Sequence, residues 1–183
     1  MIWIESPTNP LLKIIDIEEI CNVSNEMQIP VVVDNTFATP LLQRPLKLGA
    51  TLSLTSTTKY INGHSDALGG AVCTESSIWR DKLNFAQKAL GLNPSPFDCW
   101  LITRGIKTLP LRLEKQINNA SKIANQLADN PSIKSVRYPF RSDHPQCKLA
   151  QRQMVRGGAI VTASVNASQA KTYSFCKSLK YFK

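Results

Sequence analysis

Short apolar runs alternate with amphipathic stretches in the first half of the chain. The apolar run at residues 1–6 ends at PTNP, where two prolines predict a turn because proline cannot donate to a strand ladder. Residues 16–27 begin with acids and carry apolar residues at helical spacing, which predicts a helix. The β-branched run IPVVVDN then predicts a strand covered on both faces. These segments predict one β-α-β unit.

The same pattern continues through the rest of the sequence. Strands are predicted at ATLSLTS and GGAVCT, followed by a helix in SSIWRDKLNFAQKAL that ends at Gly91. Residues 101–130 are helical in pattern with a break near Pro110, and the strands SIKSVRYP and GGAIVTASV flank a short helix at CKLAQRQM. The last segment, from residue 168 to the end, is helical. We therefore predict an α/β fold with a domain boundary near residue 110, between residues 1–110 and 111–183.

Composition narrows the classes of protein that remain. A chain of 183 residues with 43% hydrophobic residues can form one domain and part of another. The net charge of +9 comes from singly scattered basic residues, so we expect no nucleic-acid partner. No apolar run is long enough to span a membrane, and the first residues do not resemble a signal peptide. The five cysteines are widely spread without a CxxC pair, which argues against disulfides and a metal site and favours a reducing cytoplasm.

Residues that could bind a ligand or take part in a reaction follow three of the predicted strands. Parallel sheets bind ligands at the carboxyl ends of their strands, where Asn9, Asp34 and Lys59 are expected. Ser56 and Thr58 place two hydroxyls on one side of the chain, and Asp34 needs a cationic partner after so apolar a strand. Pyridoxal 5'-phosphate has an aldehyde for the lysine, a phosphate for the hydroxyls and a ring nitrogen for the carboxylate. From the residues alone, a solvated lysine at a strand end remains the alternative that such a sequence more often indicates.

Longer motifs add a family resemblance. The segments ESPTNPLLKIIDI, VVVDNTFATPLLQRPLKLGA, STTKYINGHSD and PSPFDCWLITRGIKTLPLRLEKQ resemble the Cys/Met-metabolism family of pyridoxal-phosphate enzymes. The resemblance implies fold type I, as in aspartate aminotransferase, with part of the large cofactor domain and part of the small C-terminal domain. It implies that Lys59 forms the Schiff base and moves protons, and that Asp34 pairs with the ring nitrogen. It also implies that Ser56 and Thr58 bind the phosphate and that Asn9 lies close to the cofactor hydroxyl and the substrate carboxylate. Thr36 and Glu5 match family positions with supporting roles.

The resemblance also implies a reaction. It is strongest to family members that cleave the Cγ–S bond of cystathionine to give cysteine, 2-oxobutanoate and ammonia. Members that synthesise cystathionine, cleave it on the β side or act on methionine share the same residues and remain open. The family further implies a cytoplasmic homo-oligomer, a dimer of dimers.

Family members are considerably longer than this chain, so we expect it to be a central piece of one. The phosphate-binding glycine loop, the ring-stacking tyrosine, the residues that reach a neighbouring subunit and the arginine that binds the substrate carboxylate would then lie outside it. A non-catalytic product that packs against a full-length partner is the alternative from a different class.

Four other residues are expected to have structural roles. His64 is expected to form a hydrogen bond that shapes the loop after Lys59, and Asp66 is expected to cap or pair locally. Cys99 and Cys176 are expected to be buried apolar side chains.

Overall fold

Four strands form the larger of two sheets in the computed structural model, which describes residues 1–181. The strands lie in the order β1 (Ile2–Glu5), β2 (Val31–Asp34), β3 (Leu52–Ser56) and β4 (Gly70–Cys73). β1, β2 and β3 are parallel, whereas β4 is antiparallel to β3. Glu5 is opposite Asp34, and Asp34 is opposite Leu54, so the carboxyl ends of β1, β2 and β3 meet at one edge of the sheet.

Seven α-helices and a second, smaller sheet complete the described residues. The smaller sheet is an antiparallel pair, β5 (Ile133–Arg137) with β6 (Thr162–Val165). A short 3-10 helix covers Pro45–Leu48. The α-helices are α1 (Ile17–Glu26), α2 (Thr39–Leu42), α3 (Ser77–Leu90), α4 (Pro96–Ile106), α5 (Leu109–Ala128), α6 (Cys147–Gln153) and α7 (Gln169–Ser178).

Two apolar cores position the site. In the first, Ile17 and Cys21 of α1 pack against Val31 and Val33 of β2. In the second, one face of α5 packs against the loop before α1 and against α6, through Leu109, Leu113, Ile117, Ile14, Ala150 and Met154. The loop that follows Lys59 joins the second core through buried Ile61 and half-buried Tyr60. The candidate lysine is thus next to well-packed structure on one side.

Most of the predicted elements are confirmed. The strands of the β-α-β unit, the next two strands, the two late strands, and helices α1, α3, α5 and α6 all form. Asp16 caps α1 through its side chain, and Gly91 ends α3 with a φ of 66°, a conformation that glycine adopts without strain. Helix α2 and the 3-10 helix were not predicted, because four residues are too few to show a period.

Three expectations are wrong. Helix α4 begins at Pro96 rather than near residue 101, since Ser95 caps it. Helix α7 ends at Ser178, and the predicted final residues 182 and 183 lie outside the described residues. Cys99 and Cys176 are exposed, because α7 buries no residue and α4 buries only Gly105.

The domain boundary near residue 110 stays a prediction. Side chains beyond it do bond to the N-terminal half: Gln153 Nε2 donates to Gln43 Oε1 at 3.0 Å, and Gln146 Nε2 donates to the Ile14 carbonyl at 2.7 Å. None of the helices in residues 1–181 is long and apolar enough to cross a bilayer.

Candidate active site

Lys59 lies in the turn after β3, and its side chain is exposed in a cavity of about 970 Å³. Asn9, from the turn after β1, and Thr58 line the same cavity. The fold therefore brings together three of the five predicted site residues. The lining also includes residues from distant parts of the sequence, such as Asp98 of α4 and Gln116 of α5.

Asp34 is at the carboxyl end of β2, and Thr36 holds its side chain. Asp34 Oδ1 accepts hydrogen bonds from the Thr36 hydroxyl at 2.6 Å and from the Thr36 amide at 3.0 Å. The Thr36 hydroxyl in turn accepts from the Ser56 amide at 2.8 Å. Thr36 thus ties the end of β2 to the end of β3 and fixes the carboxylate. Among the described residues only Oδ1 receives these bonds, so Oδ2 remains available to a cation.

Ser56 and Thr58 differ in how free their hydroxyls are. The Thr58 hydroxyl donates to the Gly69 carbonyl at 3.3 Å and accepts from the Gly69 amide at 3.0 Å. A phosphate oxygen is an acceptor, so Thr58 would have to turn away from Gly69 to donate to it. The half-buried Ser56 side chain forms no hydrogen bond with another described residue. Of the two predicted phosphate ligands, Ser56 is therefore the readier donor.

Glu5 supports the turn that carries Asn9. The Asn9 amide donates to Glu5 Oε2 at 3.2 Å, which links the end of β1 to the cavity. The side-chain amide of Asn9 is not engaged by this bond. It can therefore donate to a carboxylate or to a phenolic oxygen of a bound molecule.

Three polar residues that follow Lys59 in sequence are either half-buried or bonded within the loop. Burial raises the pKa of Tyr60 to about 12, so its phenol keeps its proton. His64 Nδ1 is 2.7 Å from the Asn62 carbonyl, and Asp66 Oδ1 accepts from Asn62 Nδ2 at 2.8 Å. Both contacts are local, as expected for residues that shape the loop. Lys59 is thus the basic group best placed to act on a molecule in the cavity.

Arg112 also contacts this loop, although its place in the sequence does not indicate the contact. It is one of the singly scattered basic residues, yet its Nη1 donates to the Tyr60 carbonyl at 2.9 Å. The available sequence signal was a pair of glycines, Gly63 and Gly105, at positions where a side chain would collide with neighbouring atoms.

The residues present fit pyridoxal phosphate in most respects. An exposed amine can take the aldehyde, a fixed carboxylate can take the protonated ring nitrogen, and hydroxyls can take the phosphate. The phosphate is the weak point, because Lys59 is the only cation among the lining residues, whereas Asp66 and Asp98 are acids. A doubly charged phosphate would need further cations.

Comparisons with known proteins agree with this chemistry. Residues 1–183 match the family described as Cys/Met metabolism PLP-dependent enzyme, where PLP is pyridoxal phosphate. The chain is 44% identical over 182 residues to the cystathionine gamma-synthase of Mycobacterium tuberculosis, and this match covers 100% of this chain and 47% of that protein. It is 43% identical over 183 residues to the cystathionine gamma-lyase of Macaca fascicularis, which covers 100% of this chain and 45% of that protein.

A solved structure gives the same relationship. Crystalline cystathionine gamma synthase from Xanthomonas oryzae pv. oryzae, in complex with aminoacrylate and cysteine, matches with a TM-score of 0.96 and 41% identity. The match covers 99% of this chain and 47% of that one. The chain thus spans about half the length of the curated relatives it matches.

Proposed function

This chain belongs to the Cys/Met metabolism PLP-dependent enzymes, and we propose that it contributes the lysine-bearing half of a carbon–sulfur lyase site. The proposed reaction of the complete protein takes cystathionine and water to cysteine, 2-oxobutanoate and ammonia. One observation carries the proposal: an exposed lysine and a threonine-fixed aspartate lie at the ends of neighbouring parallel strands.

Each site residue has a task in this proposal. Bound pyridoxal 5'-phosphate would supply an aldehyde that bonds to an amine and a ring that withdraws electrons. Lys59 Nζ would hold the aldehyde of the cofactor and, as a free amine, would move protons between substrate carbons. Asp34 would keep a proton at the ring nitrogen, and Thr36 keeps Asp34 in place. Ser56 and Thr58 donate to the phosphate, and Asn9 donates to the substrate carboxylate.

Synthesis of cystathionine is the second candidate. The cystathionine gamma-synthase and gamma-lyase relatives are 44% and 43% identical to this chain, so identity does not separate the two reactions. Both reactions make or break a bond at the γ carbon and would use Lys59 in the same way.

Product analysis of the complete protein distinguishes the reactions. Incubated with cystathionine and pyridoxal phosphate, a γ-lyase releases cysteine, 2-oxobutanoate and ammonia in equal amounts. Pyruvate in place of 2-oxobutanoate would refute γ-cleavage and indicate cleavage on the β side. Net formation of cystathionine from cysteine and an activated four-carbon amino acid, without 2-oxobutanoate, would favour the synthase. Absence of all of these products in a folded protein would favour a non-catalytic role.

Two variants test the roles of the residues. Lys59→Ala should abolish turnover and the visible absorbance of the bound cofactor without lowering the melting temperature, because its side chain is exposed. Asp34→Ala should reduce turnover nearly as far, since an unprotonated ring withdraws electrons poorly, but should keep the covalent bond to Lys59. Full activity in Asp34→Ala would remove Asp34 from the site.

The lining of the cavity favours an oligomer. Within residues 1–181 the only cation that lines it is Lys59, so the phosphate and the substrate carboxylate require cations from outside this lining. We propose that the complete protein is a cytoplasmic homo-oligomer, a dimer of dimers, in which other segments or subunits supply them. The five cysteines, all free, are consistent with a reducing compartment.

A further inference from the structure

A single guanidinium organises the loop that follows Lys59. Arg112 lies in the first turn of α5, and all three of its nitrogens that carry hydrogen donate to neighbouring groups. Nε donates to the Thr108 hydroxyl at 3.0 Å and Nη1 to the Tyr60 carbonyl at 2.9 Å. Nη2 is shared among the carbonyls of Gly105 at 2.9 Å, Ile61 at 3.3 Å and Asn62 at 3.5 Å.

The charge of Arg112 is balanced by carbonyl dipoles rather than by an acid. No carboxylate within residues 1–181 forms an ion pair with it. Burial lowers the pKa of the guanidinium from its ordinary value, but arginine stays protonated at neutral pH. The Gly105 carbonyl belongs to the last turn of α4, where a cation interacts favourably with the helix dipole. Arg112 therefore connects α4, α5 and the loop after Lys59.

The packing around the guanidinium is close. A Cβ on Gly63 would lie 2.0 Å from Arg112 Nη1, and Gly63 has a φ of +74°. A Cβ on Gly105 would lie 2.3 Å from the Asn62 carbonyl oxygen. Real Cβ atoms do not approach other atoms so closely, so both positions require glycine. The guanidinium and the end of α4 thus lie directly against the backbone of the loop.

Two backbone amides of the loop are also bonded. The Asn62 amide donates to the Thr57 carbonyl at 2.9 Å, and the Gly63 amide donates to the Lys59 carbonyl at 2.8 Å. The carbonyls of residues 60–62 accept from Arg112. The backbone on the C-terminal side of Lys59 is therefore fixed, while its side chain is left free in the cavity.

We propose that Arg112 is the positioning residue for Lys59: it fixes the backbone from which the ε-amine reaches the cofactor aldehyde. This inference rests on the proposed function of Lys59. A misplacement of about 1 Å at a reacting group can reduce a rate on the order of 100-fold, so a loosened loop should slow bond formation at Lys59. Lysine cannot replace Arg112, because its single nitrogen cannot reach carbonyls spread across two segments.

The test measures how selectively pyridoxal phosphate bonds to Lys59 in the 183-residue chain. The chain is incubated with pyridoxal phosphate, the product is trapped with borohydride, and the modified lysines are mapped by mass spectrometry. Selectivity is the rate at Lys59 divided by the rate at the exposed Lys47 and Lys82. We expect Lys59 to dominate in the natural sequence and its selectivity to fall about tenfold in Arg112→Ala and in Arg112→Lys, as for the loss of one strong interaction.

Two further measurements separate positioning from general stability. Arg141→Ala is the matched control, because Arg141 also bonds a helix carbonyl, that of Ala124, together with Asp143. It should lower the melting temperature without changing the selectivity for Lys59. Guanidinium ion at millimolar concentration should restore selectivity in Arg112→Ala but not in Arg112→Lys, where the lysine occupies the space. If Arg112→Ala does not fold, Thr108→Val removes the Nε acceptor, together with the bond from the Thr108 hydroxyl to the Gly105 carbonyl, and should lower selectivity about twofold to threefold.

The outcomes separate this inference from the proposed function. A natural chain that shows no preference for Lys59 would contradict the proposed role of Lys59 itself. A preference for Lys59 that persists unchanged in folded Arg112→Ala, or in Thr108→Val if that variant is needed, would overturn the role of Arg112 and leave the proposed function intact. Equal losses in Arg112→Ala and Arg141→Ala would also overturn it, because the effect would then follow stability alone.

Discussion

Helix α1 and helix α3 have the same kind of amphipathic sequence but different surroundings. α1 buries Ile17 and Cys21 completely against the valines of β2. α3 buries no residue, and its apolar side chains Ile78 and Phe85 are 65% and 74% exposed. The amphipathic pattern therefore indicates which face of a helix is apolar, but it does not indicate what covers that face.

The strands next to these helices repeat the contrast. Val31, Val32 and Val33 of β2 are all buried, whereas every residue of β4 is exposed. The cavity of Lys59 lies where the two regions meet, because its lining includes Asn9 from the covered region, residues 1–69, and Asp98 from α4. The uncovered region, residues 70–106, thus forms part of the site without a covering layer of its own. This difference teaches that the lysine-bearing loop is well supported on one side only.

The largest expected effect is on catalysis by the 183 residues alone. With one cation lining the cavity, several charge-assisted contacts to phosphate and carboxylate are missing, and each is worth about 1.5–3 kcal/mol. We expect turnover of cystathionine to be lower than that of a full-length relative by a factor of about a thousand or more. Release of 2-oxobutanoate in excess pyridoxal phosphate measures it. Turnover comparable to the relative would show that these 183 residues suffice.

Two substitutions to alanine, one on α1 and one on α3, test this contrast through the stability of the fold. Ile17→Ala, at a fully buried position, should lower the free energy of unfolding by about 2–5 kcal/mol. Phe85→Ala, at a position that is 74% exposed, should change it by no more than about 0.5 kcal/mol. Urea unfolding of both variants gives the two values. A loss in Phe85→Ala as large as that in Ile17→Ala would mean that α3 is covered in solution.

The same contrast explains how far the sequence predicts the fold. The strands and the helix of the β-α-β unit follow from local periodicity and turn residues. The apolar face that the periodicity predicts for α1 is the face that is buried against β2. The expectation that Cys99 is buried is wrong because apolar character alone does not bury a side chain, and among the described residues no other element packs over Cys99 on α4. Periodicity reports the chemistry of a face, and burial depends on a second element that the local sequence does not specify.

The site was predictable to a different extent. Strand ends brought Asn9 and Lys59 to one cavity as the topology of parallel strands requires. Arg112 was not found, because it contacts the loop of Lys59 only after a separation of about fifty residues along the chain is closed by tertiary packing. Its carbonyl acceptors belong to the backbone, which carries no residue-specific signal. The family resemblance implied roles for Lys59 and Asp34, but it did not explain what holds either side chain in place.

The exposed aromatic residues of the uncovered region should have a smaller effect, on self-association of the chain. Phe97 and Trp100 of α4 are 63% and 59% exposed, with their ring centroids 5.7 Å apart. Such exposed aromatic pairs promote association, so replacing both with serine should weaken self-association by about tenfold, or about 1.4 kcal/mol. Sedimentation velocity over a range of concentrations measures it. Val23→Ser on α1 is the control, since Val23 is similarly exposed at 57% but isolated in the covered region.

The smallest expected effect concerns the pH dependence of the free energy of unfolding. His144 is buried, its Nε2 bonds to the Leu12 carbonyl at 3.2 Å, and its Nδ1 accepts from the Gln146 amide at 3.2 Å. Burial lowers the pKa of His144, and the nearby Arg137 lowers it further, whereas the Leu12 carbonyl and Asp143 raise it. The neutral ring is thus the form that fits, because a protonated Nδ1 could not accept from Gln146.

The sign of the effect follows from the lowered pKa. The unfolded chain takes up a proton at His144 near the ordinary histidine pKa of about 6.5, before the folded chain does. Stability should therefore be constant above that pH and fall as the pH decreases toward the lower folded pKa, by about the 0.5–1.5 kcal/mol of one hydrogen bond. His144→Gln should flatten this part of the profile, measured by urea unfolding between pH 7 and 5. His64→Gln, at the only other histidine and an exposed position, should retain the wild-type slope. An identical slope in His144→Gln would assign the pH dependence to carboxylates instead of to the contact between His144 and the loop before α1.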